Sequence, residues 1–242
     1  MPNLTQNQWG APRFRNSISI LLIILLTSLF AGCAGTGSST RGDDEVDAVD
    51  AAKKITQNKK KVEALIREVM DTVEVDDEAS IRKGLDLYIE AAGLMDESVK
   101  LGINSIEPRL MRFEVRSKVA NGYTALYAMA DAQCTPLEDE GLRPSDELLR
   151  KRAEAKTEAQ RWLKLARRDM ETHLGTSPVQ YQTPGQYWAL QLIYVQLADF
   201  NGARTTLLRL VESHGQRLDP DFRREIDSRV RYFAQKLIDE DG

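Results

Sequence analysis

The sequence predicts an all-α protein, a short stack of helix hairpins behind a cleaved leader and a flexible tether. Three observations predict it. Apolar residues in the body of the chain recur at threes and fours within long charged stretches, which is the spacing of one helical face. Proline and glycine punctuate those stretches at intervals that leave whole helices between them. No stretch beyond residue 42 alternates apolar and polar residues between hairpin turns, so little or no sheet is expected.

The chain opens with Arg13 and Arg15, an apolar run from Ile18 to Phe30, and the small residues Ala31 and Gly32 before Cys33. A positive segment, a short apolar segment and small residues at the cut are the parts of a secretory signal. The run is too short to cross the hydrocarbon of a bilayer as a helix, which takes about 20 residues. Leu29-Phe30-Ala31-Gly32-Cys33 resembles the lipobox of bacterial lipoproteins, with Phe30 where Leu is usual. The resemblance implies that residues 1–32 are a lipoprotein signal peptide, that the chain is cut before Cys33, and that Cys33 carries covalent lipid. It further implies an envelope protein anchored to a membrane. Ala34 is not the Asp that commonly retains such proteins in an inner membrane, so the outer membrane is favoured in an organism that has one.

Residues 33–42 continue with small and polar side chains, Ala34 to Gly42, the composition of a flexible tether. The body of the fold is then 43–242. From Asp43 to Val75 the chain is charged and free of Gly and Pro, with Val46, Val49, Ile55, Val62, Leu65, Ile66 and Val69 on an interrupted stripe. This reads as a long first helix, best formed from Lys59 onward. A second helix begins near Asp76 or Ser80, carries Ile81, Leu85, Tyr88, Ile89, Ala92 and Met95, and ends near Lys100 or Gly102. Pro108 suits the first turn of a third helix with Val115, Val119, Tyr123, Leu126, Tyr127 and Ala130 on one face. Gly141 to Pro144 breaks the chain, and Ser145 followed by Asp146 and Glu147 caps a fourth helix that runs to about Leu174. Its inner side alternates large and small groups: Leu148, Ala155, Ala159, Trp162, Ala166 and Met170. Gly175 to Pro178 ends that helix, and Thr183-Pro184-Gly185 starts the next unit.

Residues 184–215 carry the clearest pattern. Tyr187, Leu190 and Tyr194 face one way along a first helix, Ala198-Asp199-Phe200-Asn201-Gly202 turns, and Ala203, Leu207 and Leu210 line a second helix. The pattern resembles a tetratricopeptide repeat, a helix-turn-helix unit that stacks on copies of itself. Gln191 stands where a small residue is usual, and Gly215 where a terminal Pro is usual. One such unit cannot bury its apolar face alone, so the longer helix pairs before it are expected to continue the stack. The segment 219–238 reads as a capping helix with Phe222, Ile226, Val230, Phe233 and Leu237 inward, Asp219 as its cap and Pro220 in its first turn.

Composition narrows the function. The formal charge is −4, and loss of Arg13 and Arg15 with the leader takes it to −6, so the acidic mature chain has no nucleic-acid footprint. With Cys33 lipidated, Cys134 is the one remaining thiol. It is expected to be a small buried group near a helix end, or else to pair between chains. The two histidines, His173 and His214, each fall in a last helical turn, where a partly positive imidazole would cap carbonyls. Neither belongs to a metal-ligand spacing, so no metal and no cofactor beyond the lipid on Cys33 is expected. No nucleophile motif or phosphate loop is present, no catalytic residue is assigned, and Glu138-Asp139-Glu140 reads as a solvated loop. Trp188 and Tyr181, with Gln180, Gln182 and Tyr187 nearby, are the candidate partner-binding residues. The competing reading places Tyr187 in the core and packs Trp188 beneath the adjacent loop.

These features predict a non-enzymatic, lipid-anchored scaffold that binds envelope proteins through a tetratricopeptide-like surface. The resemblance implies partner binding by a concave helical face, as in lipoprotein subunits of outer-membrane assembly, secretion or pilus machineries. A lipoprotein binding a small molecule, or assisting transport, is the alternative and requires a cavity of roughly 300 Å³ or more. A cell-wall enzyme is third and requires a cleft holding a carboxylate or His of strongly shifted pKa.

Overall fold

Capping side chains set where the helices begin. In the computed structural model, which describes residues 43–74, 76–102 and 106–241, seven α-helices follow one another among the described residues: α1 (Asp43–Thr72), α2 (Glu78–Leu101), α3 (Ile106–Asp139), α4 (Asp146–Thr176), α5 (Pro184–Gln196), α6 (Phe200–His214) and α7 (Pro220–Asp241). The Asp77 carboxylate accepts from Ser80 N at 2.7 Å to open α2, Ser145 Oγ accepts from Leu148 N to open α4, and Asp199 accepts from Gly202 N at 2.8 Å to open α6. Each satisfies a backbone donor that the first helical turn leaves orphaned. No strand occurs among the described residues. The predicted signal peptide 1–32, the tether 33–42 and Cys33 lie outside them.

The helices pack mainly on their neighbours in sequence. Long antiparallel neighbours α2, α3 and α4 form the densest part, with α1 laid on α2. The middle helix α3 is covered along most of its length: Val115, Val119 and Ala120 are fully buried, and so is Cys134 about four turns further on. Opposite them lie Leu85, Ala91, Ala92 and Met95 of α2 and Ala159, Leu163, Ala166 and Met170 of α4, the small groups allowing close approach of the helix axes. Asn58 of α1, buried, donates to Leu94 O, Glu97 Oε2 and Ser98 Oγ of α2, so a polar group from the predicted interruption in the apolar stripe fixes how α1 lies.

Two differences from the sequence reading have plain causes. Helix α3 continues through Pro136 to Asp139, so Glu138 and Asp139 are helical; Glu138 takes two hydrogen bonds from Arg152 of α4, at 2.7 and 3.1 Å, and that pairing holds the last turn against its neighbour. Helix α1 is formed from Asp43, well before Lys59, with Lys53 paired to Asp50 on its surface and Lys54 to Glu97 of α2.

Residues 184–214 form a helix-turn-helix. Ala203, Leu207 and Leu210 are fully buried against Tyr187, Leu190 and Ile193. The closest approach is at Gly202, where a Cβ would sit 2.3 Å from the Tyr194 ring; only a residue without a side chain lets that ring lie across the start of α6. Ala198, at φ 56°, makes the turn between them. Helix α7 closes this end, with Ile226 and Phe233 buried and Asp219 accepting from the amides of Asp221 and Phe222.

Candidate functional site

The junction between α4 and α5 carries the densest polar network of the C-terminal half. A helix end leaves carbonyls without intrahelical partners. Here a side chain from the following turn reaches back to them: Gln182 Nε2 donates to Leu174 O at 3.1 Å and to Ser177 O at 2.6 Å, while its Oε1 accepts from the Tyr187 hydroxyl. Tyr187 sets its ring edge-on to His214 of α6 at 5.7 Å, which ties the turn to the second helix of the repeat.

His173 sits one turn before the end of α4 and is buried. Its Nε2 lies 3.2 Å from Gln186 Oε1, and its Nδ1 lies 2.9 Å from Ser177 Oγ. The Thr183 amide also donates to Gln186 Oε1, at 2.9 Å, so that atom is an acceptor and His173 Nε2 carries the proton. Nδ1 then accepts from the Ser177 hydroxyl, and the neutral imidazole is fully satisfied. Burial holds its pKa below the ordinary histidine value, against the hydrogen bond to Gln186, which favours the protonated form, and Arg109 of α3 adds to the lowering. The expectation of a partly positive capping imidazole is therefore corrected: in this buried setting His173 is a neutral link between two helices. His214 is likewise shifted down, chiefly by burial and further by Arg217.

Above this network the single turn Val179–Tyr181 faces outward. Val179 is 52% exposed and Tyr181 42% exposed, while Gln182 and Tyr187 immediately beneath are buried. An aromatic and a branched aliphatic side chain thus stand on a base whose buried polar groups are hydrogen-bonded. Trp188 is placed differently. It is half-buried against the capping helix, with its ring 5.1 Å from that of Phe222 and the Arg229 guanidinium 4.6 Å from its centroid. Tyr187 is in the core, and Trp188 packs on α7, not beneath a loop. No ring contact joins Tyr181 to Trp188 among the described residues.

A second cluster joins α2, α3 and α4. Asp169, buried, accepts from Arg112 at 2.6 Å and Arg116 at 2.8 Å, and both arginines also donate to Asp96 Oδ1, at 3.2 and 2.5 Å. Burial pushes the Asp169 carboxyl above its usual range, and the two guanidiniums pull it back toward the ionised form. Nothing in the spacing of 96, 112, 116 and 169 announced this arrangement. The α4–α5 junction, the elbow of the chain, carries a local signal that in the sequence marks only a helix start: Thr183-Pro-Gly-Gln186 has the form of a capping box, Thr followed three residues later by Gln.

The cleft lined by Glu78, Arg82, Leu126, Met129, Gln133 and Lys151 has a volume of about 40 Å³, room for a few waters. Glu114 is raised by burial and opposed by Lys118, 3.9 Å away on the next turn, whose ammonium lies over the Tyr88 ring. Tyr88 in turn is pushed up to about 12 by burial and by Glu114. This is an ion pair packed under an aromatic ring. Among the described residues no group of three His, Cys, Asp or Glu side chains is placed to hold a metal ion, and no helix is long and apolar enough to cross a membrane. Comparison with protein-family models, curated proteins and solved structures gives no match to the chain.

Proposed function

We propose that the protein is a lipid-anchored cell-envelope scaffold, held to the membrane through Cys33, that binds another envelope protein at the α4–α5 elbow through Tyr181 and Val179. The observation that carries the reading is the display of two exposed apolar side chains on a turn pinned from beneath by Gln182 and Tyr187. Aromatic groups on a preorganised base lose little conformational freedom on binding, which is what makes them effective anchors. The stacking of each helix on its sequence neighbours supports a tetratricopeptide-like array, with 184–215 as its clearest repeat and α7 as its cap. Trp188, half-buried between Phe222 and Arg229, remains a second candidate contact.

The mildly acidic body disfavours nucleic acid as the partner. The test is photo-crosslinking from position 181 in the membrane-bound full chain. One discrete adduct from 181 and from 179, and none from Lys156 on the outer face of α4, is the expected result. Adducts of equal yield from all three positions, or from Lys156 alone, would remove the elbow as the binding surface.

A further inference from the structure

We propose that His173, Ser177 and Gln186 form an acid-sensitive latch, closed at neutral pH and opened in mild acid, that controls the turn bearing Val179 and Tyr181. The location of this turn as a partner site rests on the reading above; the latch itself does not.

The geometry selects one protonation state. Gln186 Oε1 accepts from both the Thr183 amide and His173 Nε2, so rotating the Gln186 amide to suit another tautomer would set its NH₂ against the Thr183 N–H. Nδ1 is left as the acceptor for Ser177 Oγ. A second ring proton would enter on Nδ1 and face the Ser177 hydroxyl, which would have to rotate its own proton away and become an acceptor. Among the described residues no carboxylate contributes to the charge balance at the imidazole. The charged group that faces it from α3 is Arg109, which also donates to Thr176 Oγ1 at 3.3 Å, and α5 presents Gln186 and Tyr187. On α6 the next titratable group is His214, beyond the Tyr187 ring and itself shifted toward the neutral form. A buried imidazolium beside an arginine and without an anion is relieved by exposing it to water.

The place where it can be exposed is this junction. Helices α4 and α5 pack on each other much less extensively than α3 on α4 or α5 on α6. Around the imidazole the hydrogen bonds that close it run through Ser177, Gln182, Thr183 and Gln186, while Tyr194 donating to Glu171 and Arg167 pairing with Asp199 hold the far side of the junction at the surface. Local opening of 174–186 leaves the α2–α4 core and the packing among α5, α6 and α7 intact, with Tyr194–Glu171 and Arg167–Asp199 as the remaining ties. The sign follows from linkage. A base held below its unfolded value stabilises the closed form fully above about pH 6.5, and that contribution is lost as pH falls toward the folded value.

The experiment is hydrogen exchange of the full chain at pH 7.5 and 5.5, corrected for intrinsic rates, with amides of α3 as an internal reference. Opening of 174–186 should rise with acid, by up to about tenfold per pH unit below about 6.5, while α3 stays unchanged. Gln186→Glu keeps an acceptor for Thr183 and places a carboxylate against the ring, so it should abolish the acid opening. His173→Gln should remove the pH dependence as well. Equal opening at both pH values in the native chain, or an acid response that persists in both variants, would overturn the latch. Failure of the crosslinking test with the exchange response intact would overturn the partner site and leave the latch standing.

Discussion

Arg116 donates to Asp169 at 2.8 Å across the α3–α4 interface, and both side chains are almost closed to solvent. A buried pair of this kind is weak evidence for net stabilisation, because removing two charges from water offsets much of their attraction. Breaking one partner is another matter. Asp169→Ala leaves Arg112 and Arg116 with only the partly exposed Asp96 as shared acceptor and should destabilise the fold by about 3 kcal/mol, the lower end for a broken buried pair. Replacing Arg112 and Arg116 by Met together with Asp169→Leu should recover most of that loss. Urea unfolding of the two variants checks the difference; equal stability would mean that the cluster is solvated.

Gln191 of α5 is fully buried, and neither its Nε2 nor its Oε1 has a hydrogen-bond partner among protein groups. An unsatisfied buried amide costs about 1–3 kcal/mol. Gln191→Met keeps the length and removes both polar atoms, so it should raise stability by about 1 kcal/mol. A loss of stability in thermal unfolding would show that the amide is satisfied in solution.

The elements of the fold were legible because their signals are local. Pro184 with Thr183 and Asp219 with Pro220 announce helix starts within a few residues, and the stripe Val115, Val119, Leu126, Ala130 announces the buried face of α3. The turn expected over 198–202 is shorter, because Asp199 caps α6 and Phe200 to Gly202 are already helical. What was not legible depends on distance in the chain. Asp169 meets Arg116 at a separation of 53 residues, and a lone Asp on an otherwise charged helix looks like any solvated acid. His173 was misjudged for a related reason: its position in the last turn is a sequence fact, but its burial is set by α5, whose Gln186 fixes its tautomer. Trp188 carried the signal of an exposed aromatic until α7 covered it. Pro136 falls in the last turn of α3, where the helix continues around it to Asp139.

Cys33→Ser should abolish lipid labelling of the chain and release it from the membrane fraction or leave it with its leader attached. Two or three acyl chains, at about 0.8 kcal/mol per buried CH₂, make dissociation negligible, whereas one chain binds only marginally. Unchanged membrane attachment without a retained leader contradicts anchoring through Cys33.

The central claim, that the protein works by presenting the elbow to a partner, is tested most directly by separating binding from folding at two aromatic residues. Trp188→Ala removes the packing against Phe222 and Arg229 and should lower stability by roughly 2 kcal/mol. Tyr181→Ala, at an exposed position, should leave stability within about 0.5 kcal/mol of the native chain. The measurement is the affinity of the crosslinked partner, once purified, for native chain and Tyr181→Ala at matched folded concentration. The account predicts a loss of about thirtyfold, the equivalent of roughly 2 kcal/mol for an anchor residue. An unchanged affinity in a folded Tyr181→Ala chain would contradict it.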